Sequence, residues 1–457
     1  MSNLPPDREK VIGPNTPWLR FLPGFLRKKI AGRRELQEVL NNTGWMMGDQ
    51  IIRQVVGLLV GVWLARYLGP QLYGEFSFAL AIVVIVTPVA MLALDNVAVR
   101  RLVQDPSGRD DVLGTSFILM TAGGVCAFGL AMAAVFLVRP DDRLVHWLVG
   151  ILAAGSIFQA CWAVEFWFSA RLQWQFAGYA KTSAFLISSL LKISLILVHA
   201  PLIAFAWAGL AELAIGSAGL LVVYRWQGYA INRWRFNRST AKRFLQDGWP
   251  ILSFSVLVMV HLRIDQVMLG NLAGSRELGN YSVAVRISEV WYFIPMVFCS
   301  SSFPAILKSE GTSEELFYAH LQRLYNLLAL LAYGVAIPVA IFSREIIQML
   351  FSSAYADAAP LLTILIWTGI FTSLGAARNV FIVAKNWTRI NLISIALGCA
   401  LNILLNVLLI PVYGAKGAVL ATFISYWFAV HGTCFLFKPL RRTGWMMVKA
   451  LIFPKPW

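Results

Sequence analysis

The stretch Leu64-Ala65-Arg66-Tyr67-Leu68-Gly69-Pro70-Gln71-Leu72-Tyr73-Gly74-Glu75-Phe76-Ser77-Phe78-Ala79-Leu80-Ala81-Ile82 joins two long apolar runs through a short glycine-bearing turn. It occurs twice. The second copy, 205 residues on, is Leu269-Gly270-Asn271-Leu272-Ala273-Gly274-Ser275-Arg276-Glu277-Leu278-Gly279-Asn280-Tyr281-Ser282-Val283-Ala284-Val285-Arg286-Ile287. Six of the nineteen positions are identical without a gap: Leu64/Leu269, Gly69/Gly274, Gly74/Gly279, Ser77/Ser282, Ala79/Ala284 and Ile82/Ile287. Phe76/Tyr281 is a like-for-like aromatic pair. One half-protein is used twice.

The chain on either side of these turns is 58% hydrophobic and 14% charged overall, against about 25% charged in a soluble domain. Each membrane-spanning helix needs about 20 mostly apolar residues. Within hydrocarbon only helices or closed barrels satisfy their own backbone, and these long runs do not alternate as barrel strands do. The fold class is therefore an all-α polytopic membrane protein. Twelve spans are expected, at 44–66, 76–99, 112–138, 144–169, 176–198, 201–224, 248–270, 278–304, 321–342, 360–383, 388–410 and 414–437. They divide into an N-lobe (44–224) and a C-lobe (248–437) of six helices each, with a basic linker at 225–247. Basic segments, 1–43 and 438–457, flank the whole. Six spans separate the two turns, so the repeat is parallel, with its pseudo-twofold axis along the membrane normal. Pro88, Pro295 and Pro338 lie inside spans and are expected to kink them.

The net charge of +16 could suggest nucleic acid, but its distribution argues otherwise. The N-terminus, the even-numbered connections and the C-terminus hold 28 Lys and Arg, against 6 in the opposite set. This places both termini in the cytoplasm, and the basic charge is a topology signal. Residues 1–43 mix aromatic and basic residues without a cleavable apolar core; an interfacial amphipathic helix and a basic tail both fit them. The five cysteines lie in apolar stretches without paired spacing and read as small hydrophobes, with no metal or disulfide framework.

Five bases remain inside spans: Arg53, Lys192, Arg263, Arg286 and Arg378. A charge at the bilayer centre costs about 2.5–3.5 kcal/mol on insertion scales, so each is expected to face a partner or a wet cavity. Asp49, Arg53, Gly57 and Gly61 form a polar-then-small stripe at successive helical turns. Ser282, Arg286 and Glu289 form a second face, and Thr368, Thr372, Gly375 and Asn379 a third with Arg378 alongside. His261 and Asp265 share a face that Arg263 does not. Asp49/Arg53 and Arg286/Glu289 can equally be internal ion pairs that only fix packing. Lys192 and Arg378 lack an acid within one turn, which favours a cavity-facing position.

No Gly-rich phosphate loop, HExxH or GxSxG motif occurs. The longest extramembrane segment after the N-terminus is about 23 residues, too short for a catalytic domain. A transporter reading follows, with two repeats rocking about a midplane site.

Several segments also resemble bacterial oligosaccharide flippases. They are Asn42-Thr43-Gly44-Trp45 through Tyr73-Gly74, Arg263-Ile264-Asp265-Gln266-Val267-Met268-Leu269-Gly270, Val283 through Pro295, and Leu409-Ile410-Pro411-Val412-Tyr413-Gly414-Ala415-Lys416-Gly417-Ala418. The likeness is to O-antigen and exopolysaccharide repeat-unit translocases of the multidrug/oligosaccharidyl-lipid/polysaccharide exporter superfamily, over residues 42–437. It implies flipping of an undecaprenyl-diphosphate-linked oligosaccharide across the bacterial inner membrane, alongside polysaccharide polymerase or assembly proteins. It further implies coupling to a proton or sodium gradient, with no cofactor or metal. An anionic diphosphate headgroup needs cations, and Arg53, Lys192, Arg263, Arg286 and Arg378 are the candidate lining. Asp49, Asp265 and Glu289 are candidates to carry an ion or to orient those bases. A drug exporter of the same superfamily and a membrane enzyme of polysaccharide assembly are the competing readings.

Overall fold

The computed structural model describes the backbone of residues 34–455 and the side chains of residues 44–455. The two readings of segment 1–43 thus fall largely outside the described residues. Within them, α1 runs Arg34–Met91, α2 Leu94–Gln104, α3 Arg109–Val138, α4 Arg143–Phe158, α5 Ala163–Ala170, α6 Trp174–Leu197 and α7 Leu202–Trp226. The second half holds α8 Arg238–Leu272, α9 Ser275–Glu289, α10 Phe293–Glu310, α11 Glu314–Ile341, α12 Ser343–Phe351, α13 Ala358–Leu365 and α14 Thr368–Ala384. It ends with α15 Thr388–Tyr413, α16 Ala415–Trp427, α17 Thr433–Leu436 and α18 Arg441–Ile452. Eleven helical segments among the described residues are long and apolar enough to cross a membrane. The first of them, Gly44–Gln104, contains two of the expected spans as arms on either side of a break at Gly69.

The two turns of the repeat have the same backbone. Gly69 has φ 68° and ψ 170°, and Gly274 has φ 91° and ψ 171°, left-handed values that favour glycine. The turns also pack on each other reciprocally. A side chain at Gly74 would overlap the Ser275 carbonyl, and one at Gly279 would overlap the Pro70 carbonyl. Pro70 and Ser275 are themselves 205 residues apart, so each copy grips the equivalent point of the other, as a two-fold axis between them requires.

Around this crossing lies a core shared by both halves, including Leu64, Phe78, Leu269, Tyr281, Phe351 and Ala415. All of these residues lie near the connections poor in Lys and Arg. Toward the basic connections the core divides. One part packs Leu94, Leu113, Trp167, Tyr224 and Phe244, and the other Phe317, Tyr325, Phe381 and Met447. The halves are therefore joined on the charge-poor side and have separate cores on the basic side. The joined side carries a strap: the Tyr355 hydroxyl donates to the Ala65 carbonyl at 2.8 Å, and Arg66 donates to the carbonyl of Met349 in α12. Burial, with Tyr73 alongside, pushes the Tyr355 phenol above its ordinary value, so it stays protonated and a donor.

Several expected boundaries move. Helix α1 is already formed at Arg34 rather than starting at 44. The linker 225–247 is largely helical after Asn237, whose side chain caps α8 by accepting from Ser239 N and Thr240 N at 3.0 and 3.2 Å. The tail 438–457 contains α18, held to α11 by a Tyr325–Thr443 hydroxyl bond of 2.9 Å and a Tyr333 hydroxyl to Leu451 carbonyl bond of 2.8 Å. Pro88 precedes a true break at Leu92 and Ala93, both left-handed. Pro295 instead lies in the first turn of α10, after the break, where proline is tolerated. Cys126 is exposed rather than buried.

Candidate functional site

The halves meet most closely where α9 crosses α1. Arg286 reaches out of α9, donates to the Gly57 carbonyl of α1 and lies 3.5 Å from the Tyr73 hydroxyl. Gly61 makes the seat, since a side chain there would overlap the guanidinium. Gln54 adds a second tie, donating to the Val290 carbonyl at 3.1 Å. A charged fork on a backbone carbonyl at a helix crossing is a polar contact that can be remade elsewhere, unlike an apolar weld.

The stripe on α1 splits between two neighbours. Asp49 and Arg53 turn toward α6: the Arg53 guanidinium donates to both Asp49 oxygens at 2.9 and 3.1 Å and stacks 5.3 Å over Phe185. The Thr182 hydroxyl donates to the same carboxylate. One Arg53 nitrogen, Nη2, is buried without a partner. Close by lies a pair that the sequence reading did not single out, Lys181 and Glu165 at 2.6 Å, with the Lys181 ammonium 3.7 Å over Trp162. Lys181 counted only as a connection charge and Glu165 only as a span residue; the i, i+4 rule sees neither, because they sit on different helices.

The expected Arg286/Glu289 pair does not form. Glu289 instead takes a two-pronged bond from Arg263 of α8, at 3.1 and 2.8 Å. The α9 face therefore lies between α1 and α8, with Arg286 serving one and Glu289 the other. Asp265 is 3% exposed and points elsewhere. It accepts from the Tyr281 hydroxyl, from Thr422 at 3.1 Å and from its own Gln266 amide at 2.7 Å. A small cavity between Asp265, Tyr281, Glu289, Thr368 and Thr422 brings these groups around one space.

The remaining two bases stand apart from this set. Lys192 finds an acid on the next helix, Glu212 of α7, at 2.9 Å. Arg378 is 3% exposed and is bonded to the Ala429 and Val430 carbonyls at 2.8 and 2.7 Å, to Thr433 at 3.0 Å and to Asn391 at 3.2 Å. Those carbonyls belong to a π-helical turn, Phe428–Gly432, whose widened ladder leaves acceptors to be satisfied within the bundle. Arg378 is thus held by backbone carbonyls inside the bundle rather than facing a cavity, whereas Lys192 is partly exposed and paired with Glu212. Among the described residues no group of three or more His, Cys, Asp or Glu could hold a metal ion.

This is a multi-pass membrane protein, built as a duplicated helical bundle with Arg286 bridging the halves where they cross. The same architecture is found in solved membrane transporters. A structure described as an inward-facing conformation of a multidrug resistance MATE family transporter of the MOP superfamily superposes with a TM-score of 0.69 at 14% identity, covering 86% of this chain and 96% of that one. The lipid II flippase MurJ, in an inward closed conformation, superposes with a TM-score of 0.67 at 15% identity, covering 89% and 90%. At such identities the likeness is one of fold. The chain belongs to the polysaccharide biosynthesis protein family, whose model matches residues 39–310. The probable flippase AglR of Haloferax volcanii is 21% identical over 83% of this chain and 79% of its own length. The probable low-salt glycan biosynthesis flippase Agl15 of the same organism is 24% identical over 36% of this chain. The uncharacterized membrane protein MJ1068 of Methanocaldococcus jannaschii is 23% identical over 62% of it. The chain spans 58% of the length of MJ1068 and 35% of that of Agl15.

Proposed function

We propose that this protein is a flippase, not an enzyme, that carries a polyprenyl-diphosphate-linked oligosaccharide from the cytoplasmic to the outer leaflet. In a bacterial inner membrane the carrier is undecaprenyl diphosphate, and the cargo is a repeat unit of a surface polysaccharide. The reading takes the basic side as cytoplasmic and keeps the headgroup between the N- and C-lobes while the polyprenyl tail stays in lipid.

The observation that carries it is the α1–α9 crossing. There Arg286 of one half rests on the Gly57 carbonyl of the other, and Arg53 sits one turn away with a free donor. An arriving diphosphate offers these guanidiniums better acceptors than a carbonyl, because charge-assisted forks are roughly twice as strong as neutral hydrogen bonds. Taking Arg286 off Gly57 unties the crossing and lets the halves reorient, the rocking expected of a parallel repeat. Asp49 and Glu289 hold Arg53 and Arg263 in place. Protonation of either acid releases its base, which is one route for an ion gradient to bias the cycle. Asp265 is the third carboxylate in this set, and its three donors favour the ionised form.

The test is reconstitution in liposomes with a fluorescent polyprenyl-diphosphate oligosaccharide, scored by its accessibility from outside. Arg53→Ala and Arg286→Ala should each lower the initial rate at least tenfold, and Arg378→Lys should leave the rate of the folded fraction near wild type. A wild type that moves no such lipid but extrudes a cationic dye would replace this reading with the drug-exporter one.

A further inference from the structure

A second basic feature lies away from the α1–α9 crossing, at the basic end of the molecule. The last turns of α2 and the first turns of α8 line an open cavity of about 180 Å³. Val97, Arg101 and Gln104 share one face of α2, with Arg100 beside them; Thr240, Arg243 and Asp247 share the facing side of α8. Three guanidiniums thus meet one carboxylate, and that carboxylate is spent on Arg100, at 3.3 Å. Arg243 makes no hydrogen bond or ion pair among the described residues. Arg101 has only the charge of Asp105 near it.

Like charges gathered in one concavity repel unless something holds the walls together. Here the wall is fixed from behind by Phe244, 3% exposed, which packs with Val97 in the N-terminal core. A basic surface that only sets topology needs no shared groove between two helices with a buried aromatic floor. We infer that this cavity is a binding site for a phosphate group carried by a lipid at the cytoplasmic surface. The arginine forks supply paired donors to phosphate oxygens, and Thr240 and Gln104 supply neutral ones. The cavity lies where α8 leaves the N-terminal half, with Gly248 against the Leu92 carbonyl at that point. An anion bound across α2 and α8 therefore braces the junction between halves. The pocket stands on its own geometry, but its use as a waiting place for a lipid-linked diphosphate rests on the function proposed above.

The experiment measures binding alone, so its result does not depend on transport. The full chain in phosphatidylcholine nanodiscs is titrated with farnesyl diphosphate, and again with inorganic diphosphate. The wild type should bind farnesyl diphosphate with an affinity that falls with salt. The Arg101→Gln/Arg243→Gln variant, of unchanged melting temperature, should bind it at least tenfold more weakly. Asp247→Asn, which frees Arg100 at an exposed position, should bind several-fold more tightly. Repeating the titration in nanodiscs with phosphatidylglycerol names the source. Competition assigns the site to a bilayer phospholipid, and its absence to the diphosphate carrier. Affinities within twofold of wild type in both variants would overturn the inference while leaving the flippase reading intact. A chain that binds as described but translocates nothing would do the reverse.

Discussion

Arg286 and Glu289, three residues apart on α9, serve different partners on different helices, and this division can be measured. Arg263 and Glu289 form one unit, so Arg263→Ala and Glu289→Ala should each lower thermal stability, while the double variant should be no worse than the poorer single one. A double-mutant cycle is expected to show coupling of about 0.5–3 kcal/mol, and additive losses would contradict the pairing. Arg286 belongs to a different unit, with Gly61 as its seat. Gly61→Val should expel the guanidinium and match the transport loss of Arg286→Ala, with crossing a bilayer as the readout. An unaffected rate would mean that the seat is not used. At this scale the sequence was only partly legible. That intramembrane charges need partners was clear from cost alone, and the Asp49/Arg53 spacing names its own pair. Lys192 and Glu289 could not be matched in the same way, because Glu212 and Arg263 reach them from neighbouring helices.

The elements that organise the chain are the two glycine turns, and their spacing is a local signal. A turn needing left-handed φ at Gly69 and Gly274 leaves its mark in one residue, and a close crossing leaves another at Gly74 and Gly279. That these marks form a repeat could be read directly; that the copies grip one another could not, since nothing local says which backbone each glycine approaches. Gly74→Ala and Gly279→Ala should each push a backbone carbonyl aside. Overpacking of this kind costs about 1–3 kcal/mol, and the near-symmetry predicts similar losses. Thermal unfolding in detergent checks both, and a silent substitution at either position would deny the reciprocal contact. Helices α12 and α18 were harder to anticipate. Both are short and amphipathic, set beside connections or a basic tail, and only packing against longer helices orders them. The π-helical turn that occupies Arg378 is a third case, since a widened helix has no local sequence signature of its own.

Across the whole molecule, long apolar runs and the imbalance of Lys and Arg identify a polytopic membrane protein and suggest its orientation. The arrangement of the cores adds what composition cannot: the halves share one core at the charge-poor side and keep separate cores at the basic side. The face bearing most of the positive charge is thus the one on which the halves keep separate cores. In the proposed rocking cycle the α1–α9 crossing comes apart. The most direct measurement uses Gln54→Cys and Val290→Cys, at the tie between the halves, in a background lacking the five native cysteines. A short cleavable bifunctional thiol reagent joins them, and translocation of the fluorescent polyprenyl-diphosphate oligosaccharide is followed in liposomes. The account predicts that cross-linked protein carries none and recovers its rate once the linker is cleaved; an undiminished rate with the halves held together would contradict it.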